Sequence, residues 1–225
     1  MRSFKALALI LLATLVVCST AATGAAADEI TAESYPALLS GKDDGTAFSL
    51  KLKVGTIACK EARYAGTVSA ATTSLAVTPT IPEKTALGAH NCSLDGFFAS
   101  TIHTNGCNYL LSVNGSGVTT GAASIECPAG KEITVTALVN CTIHIRAQAI
   151  VGNATYVNIG SGSTREITAS IKTPGAGGGL EYIQTGTGGG TPCETGLFYA
   201  GGWTVNLTLT AAKESDGTHV GLFLS

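Results

Sequence analysis

Charged side chains are scarce in this chain: they make up 12% of its 225 residues, and the formal net charge is −2. An ordinary globular domain carries about twice that fraction. Lys and Arg are too sparse to neutralise a phosphate backbone, so no nucleic-acid partner is expected. Beyond the N-terminal leader there is no apolar run of the roughly 18 residues that a spanning helix needs, and no membrane span is expected. The sequence also lacks G-x-S-x-G, HExxH, P-loop and Rossmann patterns, any CxxC pair, and any cysteine at finger spacing from a histidine. Those absences leave no catalytic residue, no metal site and no cofactor to nominate.

What is present begins with a leader. Arg2 and Lys5 come first, an apolar run from Ala6 to Val17 follows, and small residues continue to Ala25-Ala26-Ala27. Basic, apolar and small in that order is a secretory signal. It assigns residues 1–27 to a signal peptide, puts the mature start near Asp28, and predicts a secreted, extracellular protein. Cys18 follows Val17 where a lipid-anchored protein would carry a small residue, which argues against acylation.

Six cysteines remain after the leader: Cys59, Cys92, Cys107, Cys127, Cys141 and Cys193. An even number in an oxidising compartment predicts three disulfides. Of the connectivities open to six cysteines, short brackets favour Cys92 with Cys107 and Cys127 with Cys141, leaving Cys59 with Cys193.

From residue 46 onward the dominant period is two. Phe48, Leu50, Leu52 and Val54 alternate with polar residues; so do Cys141, Ile143 and Ile145 against Thr142, His144, Arg146 and Gln148, and Trp203, Val205, Leu207 and Leu209 against Thr204, Asn206, Thr208 and Thr210. Alternation of this kind marks antiparallel strands with one dry and one wet face. Asp44-Gly45, Asn105-Gly106, Asn114-Gly115, Gly160-Ser161-Gly162 and Asp216-Gly217 supply the positive φ of tight reversals. The expected fold is all-β: a disulfide-braced antiparallel β-sandwich of about a dozen short strands. Residues 28–45 read as a lead-in with one weak helical turn over 31–40, and 46–225 as a single domain with glycine-rich loops at 175–190 on either side of a short strand. An echo between Cys59…Tyr64-Ala65-Gly66 and Cys193…Tyr199-Ala200-Gly201 fits either two similar β lobes or chance in a chain of few residue types.

Cys92-x4-Phe97, Asn105-Gly106-Cys107-x-Tyr109, Cys127-Pro128-Ala129-Gly130 and Cys141-x-Ile143 together resemble a group of secreted, cysteine-containing all-β proteins of soil actinobacteria. The resemblance covers residues 46–225 and implies export, β structure and paired cysteines. It implies no activity, because the group brings no catalytic or binding residues to carry over.

The residues themselves suggest binding before catalysis. His144, Arg146 and Gln148 share the wet side of one strand, where solvated side chains are the ordinary expectation. Tyr182, Tyr199 and Trp203 lie in or beside the glycine-rich region. Trp203 falls in register with buried positions, so Tyr182 and Tyr199 are the candidates for an exposed ligand platform, as aromatic rings hold sugars by stacking. Lys42-Asp43-Asp44-Gly45 is acidic but lacks the alternating ligands of a calcium loop. The sequence therefore predicts a non-enzymatic extracellular structural or ligand-binding domain, with a glycan- or cell-wall-binding module as the second reading and a secreted hydrolase, its carboxylates unrecognised, as the third.

Overall fold

The computed structural model describes residues 28–43, 48–114, 120–138, 140–173, 179–186 and 193–225. After β1 (Ile30–Ala32) the chain crosses the molecule eight times. The first crossing is β2 (Ala37–Asp43) followed by β3 (Phe48–Leu52), and the second returns as β4 (Gly55–Cys59) and β5 (Arg63–Val68). The third and fourth are β6 (Ser74–Thr80) with β7 (Cys92–Leu94), and β8 (Phe98–His103) with β9 (Asn108–Val113). The fifth, sixth and seventh are β10 (Thr120–Glu126) with β11 (Ile133–Thr136), β12 (Cys141–Ile145) with β13 (Gln148–Ile159), and β14 (Glu166–Lys172) with β15 (Leu180–Gly186). The eighth, β16 (Gly196–Lys213), is unbroken, and β17 (His219–Val220) and β18 (Leu222–Leu224) end the chain.

Pairing turns these crossings into two stacked rings. Ring 1 runs β14-β13-β10-β9-β6-β5-β2-β16 and closes through β14–β16; ring 2 runs β16-β15-β12-β11-β8-β7-β4-β3 and closes through β16–β3. Every pair is antiparallel, and both rings list the crossings in the same order. The whole is an up-and-down barrel interrupted at its waist, with β16 serving both rings. The expected sandwich is thus corrected: alternation tells which side chains face inward, and a closed wall satisfies it as well as two facing sheets while leaving no unpaired edge.

The expected lead-in also belongs to the wall. Residues 31–40 form no helical turn; β2 pairs with both β16 and β5, and β1 pairs with β18 in a small two-stranded cap. Among the described residues the only helix is a single 3₁₀ turn at Gly162–Thr164. The two rings are not repeats of one another, since each takes a segment from every crossing. The sequence echo fails likewise, with Tyr64 buried and Tyr199 exposed.

The six cysteines are all paired, in a connectivity other than the expected one: Cys59–Cys92, Cys107–Cys127 and Cys141–Cys193. Register explains the first two. Cys59 and Cys92 are direct partners across β4 and β7, and Cys107 and Cys127 extend the β9–β10 ladder one step beyond Asn108 and Glu126. Short brackets in sequence do not place Cβ atoms opposite each other; ladder register does.

Turn chemistry was also redistributed. Asn105 and Gly106 do adopt positive φ, but they interrupt the fourth crossing at the waist and reverse nothing. A true reversal lies at Asp95-Gly96, both at positive φ, closed by the Phe97 N–H donating to the Leu94 carbonyl at 3.1 Å. Asp216-Gly217 turns the chain from β16 into β17 as expected. Of the glycine-rich stretch, the short strand is present as β15; the loops at 174–178 and 187–192 lie outside the described residues.

One continuous apolar core fills both rings. Trp203 sits at the junction with its ring 4.6 Å from that of Tyr109, and Tyr64 and Tyr156 pack in ring 1. Each such side chain contributes about 1.5–3 kcal/mol by leaving water. Buried Asn91 pins the long excursion between β6 and β7. Its Oδ1 accepts the Lys60 and Glu61 N–H groups, and its Nδ2 donates to the Glu61 and Pro82 carbonyls.

Candidate functional site

Eight-stranded barrels of this type can hold a ligand inside. Here the interior cavity where the rings meet, lined by Phe48, Leu50, Tyr109, Ile125, Ile133, Ile145, Leu180 and Trp203, measures about 10 Å³. That is room for no more than one water. At this junction the barrel has no ligand-sized space, and most polar side chains of the described residues stand on the outer wall.

The richest part of that wall is on ring 2, over β11, β12, β15 and β16. Alternation turns Thr134, Thr136, Thr142 and His144 outward while Ile133, Val135, Cys141, Ile143 and Ile145 fill the core. Register then sets His103, Thr134, His144, Ile183 and Leu197 in one row across five strands. Neighbouring strands are about 4.8 Å apart, so His144 and Leu197 stand about 10 Å from each other.

Glu132 organises the polar end of the row. Its Oε1 lies 2.6 Å from His144 Nδ1 and its Oε2 lies 3.5 Å from Arg146 Nε. Asn105 Nδ2 donates to the Glu132 carbonyl and to Thr134 Oγ1, tying the 104–107 turn onto the same surface. Next to this network the 127–132 loop, Arg146 and Ala147 line an open depression of about 480 Å³.

The apolar end comes from β16. Leu197 and Tyr199 project outward, and Tyr199 is 61% exposed. Between the pairs Leu180–Gly201 and Tyr182–Phe198, residues 199 and 200 of β16 oppose Glu181 alone. This is a β-bulge, a device that re-aims side chains beside binding surfaces.

Of the two tyrosines expected to form a platform, only Tyr199 is on the surface. Tyr182 is 2% exposed, points into ring 2, accepts the Lys53 N–H on its hydroxyl at 2.7 Å and stacks on Phe198. Register places it opposite Phe198, which packs against the core, while the next residue, Tyr199, stands on the exposed side. Burial holds the Tyr182 hydroxyl pKa above its ordinary value, against the lowering effect of the Lys53 bond. His144 and Arg146 do share a surface, but the amide of Gln148 is committed elsewhere: it both donates to and accepts from the backbone of Glu181, bridging β13 to β15. Glu132 was the residue that strand alternation alone could not single out, because it precedes β11 and reaches the site from the waist loop.

Of the acidic stretch Lys42-Asp43-Asp44-Gly45, residues 44 and 45 lie outside the described residues, and Asp43 has an ordinary role. Asp43 Oδ2 accepts the Phe48 N–H, and no metal-binding cluster of His, Cys, Asp and Glu occurs among the described residues. No helix of the described residues is long and apolar enough to cross a membrane. What the ring 2 wall offers is an aromatic face and aliphatic contacts flanked by an imidazole, a guanidinium, carboxylates and hydroxyls. Comparison with protein-family models, curated proteins and solved structures found no match to this chain.

Proposed function

We propose that the chain is an exported, non-catalytic binding protein that holds a surface or cell-wall glycan on the outer wall of ring 2. The observation that carries this reading is the placement of exposed Tyr199 and Leu197 two strands from the Glu132–His144–Arg146 network. A sugar presents one apolar face and a rim of hydroxyls. Tyr199 suits the face by stacking, and the ionic network supplies charge-assisted hydrogen bonds to the rim. The filled interior supports an external site, and the N-terminal leader with three disulfides supports export.

The test is a glycan array probed with the mature protein, followed by titration of the best ligand into Tyr199→Ala and Glu132→Gln. Tyr199→Ala is expected to weaken binding at least tenfold, the loss of about one stacking contact with its area burial, with the thermal midpoint unchanged. Wild-type affinity in Tyr199→Ala, or an array without a bound glycan, would refute the reading.

A further inference from the structure

We propose that ring 1 carries a second binding site that takes the carboxylate of an acidic sugar unit; the choice of a carbohydrate rests on the reading above, but the site shares no residue with the Tyr199 wall. It lies where β2 is flanked by β5 and β16. Lys42 of β2 stands directly opposite Arg63 on one side and Thr208 on the other. Two residues along the same face, Ser40 stands opposite Thr210. With Glu166 from the start of β14, these residues line an open depression of about 430 Å³.

Like charges directly opposed across antiparallel strands repel one another, and little offsets the repulsion here. The nearest carboxylate to Arg63 is that of Glu61, at 4.0 Å, and its other oxygen already accepts the Ala86 N–H. The Lys42 ammonium has no ion pair among the described residues. In a chain with only 13 basic residues, two exposed cations held side by side form a place where one anion would gain from both and relieve their repulsion.

The remaining lining selects the kind of anion. Ser40, Thr208 and Thr210 offer hydroxyls that both donate and accept, and Thr210 Oγ1 also donates to the Ser40 carbonyl at 3.1 Å. The Glu166 carboxylate disfavours a second negative charge in the depression while accepting bonds from neutral hydroxyls. A phosphate group, with up to two charges on one centre, would meet more of that repulsion than a uronic acid residue, which brings a single carboxylate and several hydroxyls. The Lys42 and Ser40 rows are about 6.7 Å apart along the strand, the scale of one sugar ring.

Isothermal titration of the mature protein with oligogalacturonate, a neutral oligosaccharide and polyphosphate tests this. Oligogalacturonate is expected to bind, more weakly as salt rises. The double variant Lys42→Gln/Arg63→Gln should lose at least tenfold in affinity, and Tyr199→Ala should bind oligogalacturonate as the wild type does. All three positions are exposed, so an unchanged thermal midpoint is the control for folding. Wild-type affinity in the double variant, or polyphosphate binding more tightly through the same two cations, overturns the proposal. So does silence toward oligogalacturonate. If a neutral glycan still binds in a Tyr199-dependent way, that silence removes only the ring 1 site; silence toward both ligands removes both readings.

Discussion

The two rings share a strand and a core yet are held together by different means. Ring 1 is built from long segments, among them β2, β6, β10 and β14 of seven residues each and β13 of twelve. It encloses Tyr64, Tyr109 and Tyr156, and β1 with β18 covers its end. Ring 2 includes β7 of three residues and β11 of four. Its Cys59–Cys92 bridge joins two of its own strands, and Cys141–Cys193 ties β12 to the chain entering β16. Short strands bury little and make few ladder bonds, and two of the three cross-links brace ring 2, the third extending the β9–β10 ladder of ring 1.

Trp203→Ala should break both rings together, because the indole lines the cavity at their junction. The expected cost is about 5 kcal/mol, at the top of the range for a large aromatic, read by denaturant unfolding with circular dichroism. Replacing Cys141 and Cys193 by Ala should cost about 4 kcal/mol, from the chain entropy of a 52-residue separation. Hydrogen exchange should quicken in ring 2 first; equal quickening in ring 1 would contradict the contrast.

A third test addresses ring 1 through pH. Burial raises the hydroxyl pKa values of Tyr64, Tyr109 and Tyr156 far above the ordinary value of about 10. With the folded pKa above the unfolded one, stability is intact below the unfolded value of about 10 and falls as pH climbs from there toward the folded value. These tyrosines should ionise only as ring 1 opens, so tyrosinate absorbance and loss of β structure should rise together in an alkaline titration. The smallest effect belongs to Phe97, 87% exposed on the β7–β8 turn of ring 2. Phe97→Ser should shift stability by no more than about 0.5 kcal/mol.

Much of the wall was legible in the sequence. Period two at Phe48–Leu52, Cys141–Ile145 and Trp203–Leu209 marks strands and the buried face of each. It does not say which strand lies beside which, and closure, the waist and the disulfide partners all depend on that. Asn105-Gly106 and Asp95-Gly96 look alike on paper, yet only the second reverses the chain; the first extends a crossing whose neighbours on both sides continue past it. Tyr182 and Tyr199 were equally plausible at the surface until a register pairing Tyr182 with Phe198 put them on opposite sides of the wall. The Lys42–Arg63 pair is a product of register too, while Glu132 reaches its partners from the waist loop, and neither has a local pattern to announce it.

β16 is the last of the eight crossings and the closing partner of both rings. As the polypeptide is synthesised, neither circle can be completed until the residues from Gly202 onward have been delivered, and the contacts that complete them join β2 and β3 to a segment more than 150 residues away. Such distant pairings form slowly. A chain arranged this way stays threadable until its end arrives, which suits the export proposed above, in which the chain would cross a membrane as an open strand and acquire its cross-links afterwards.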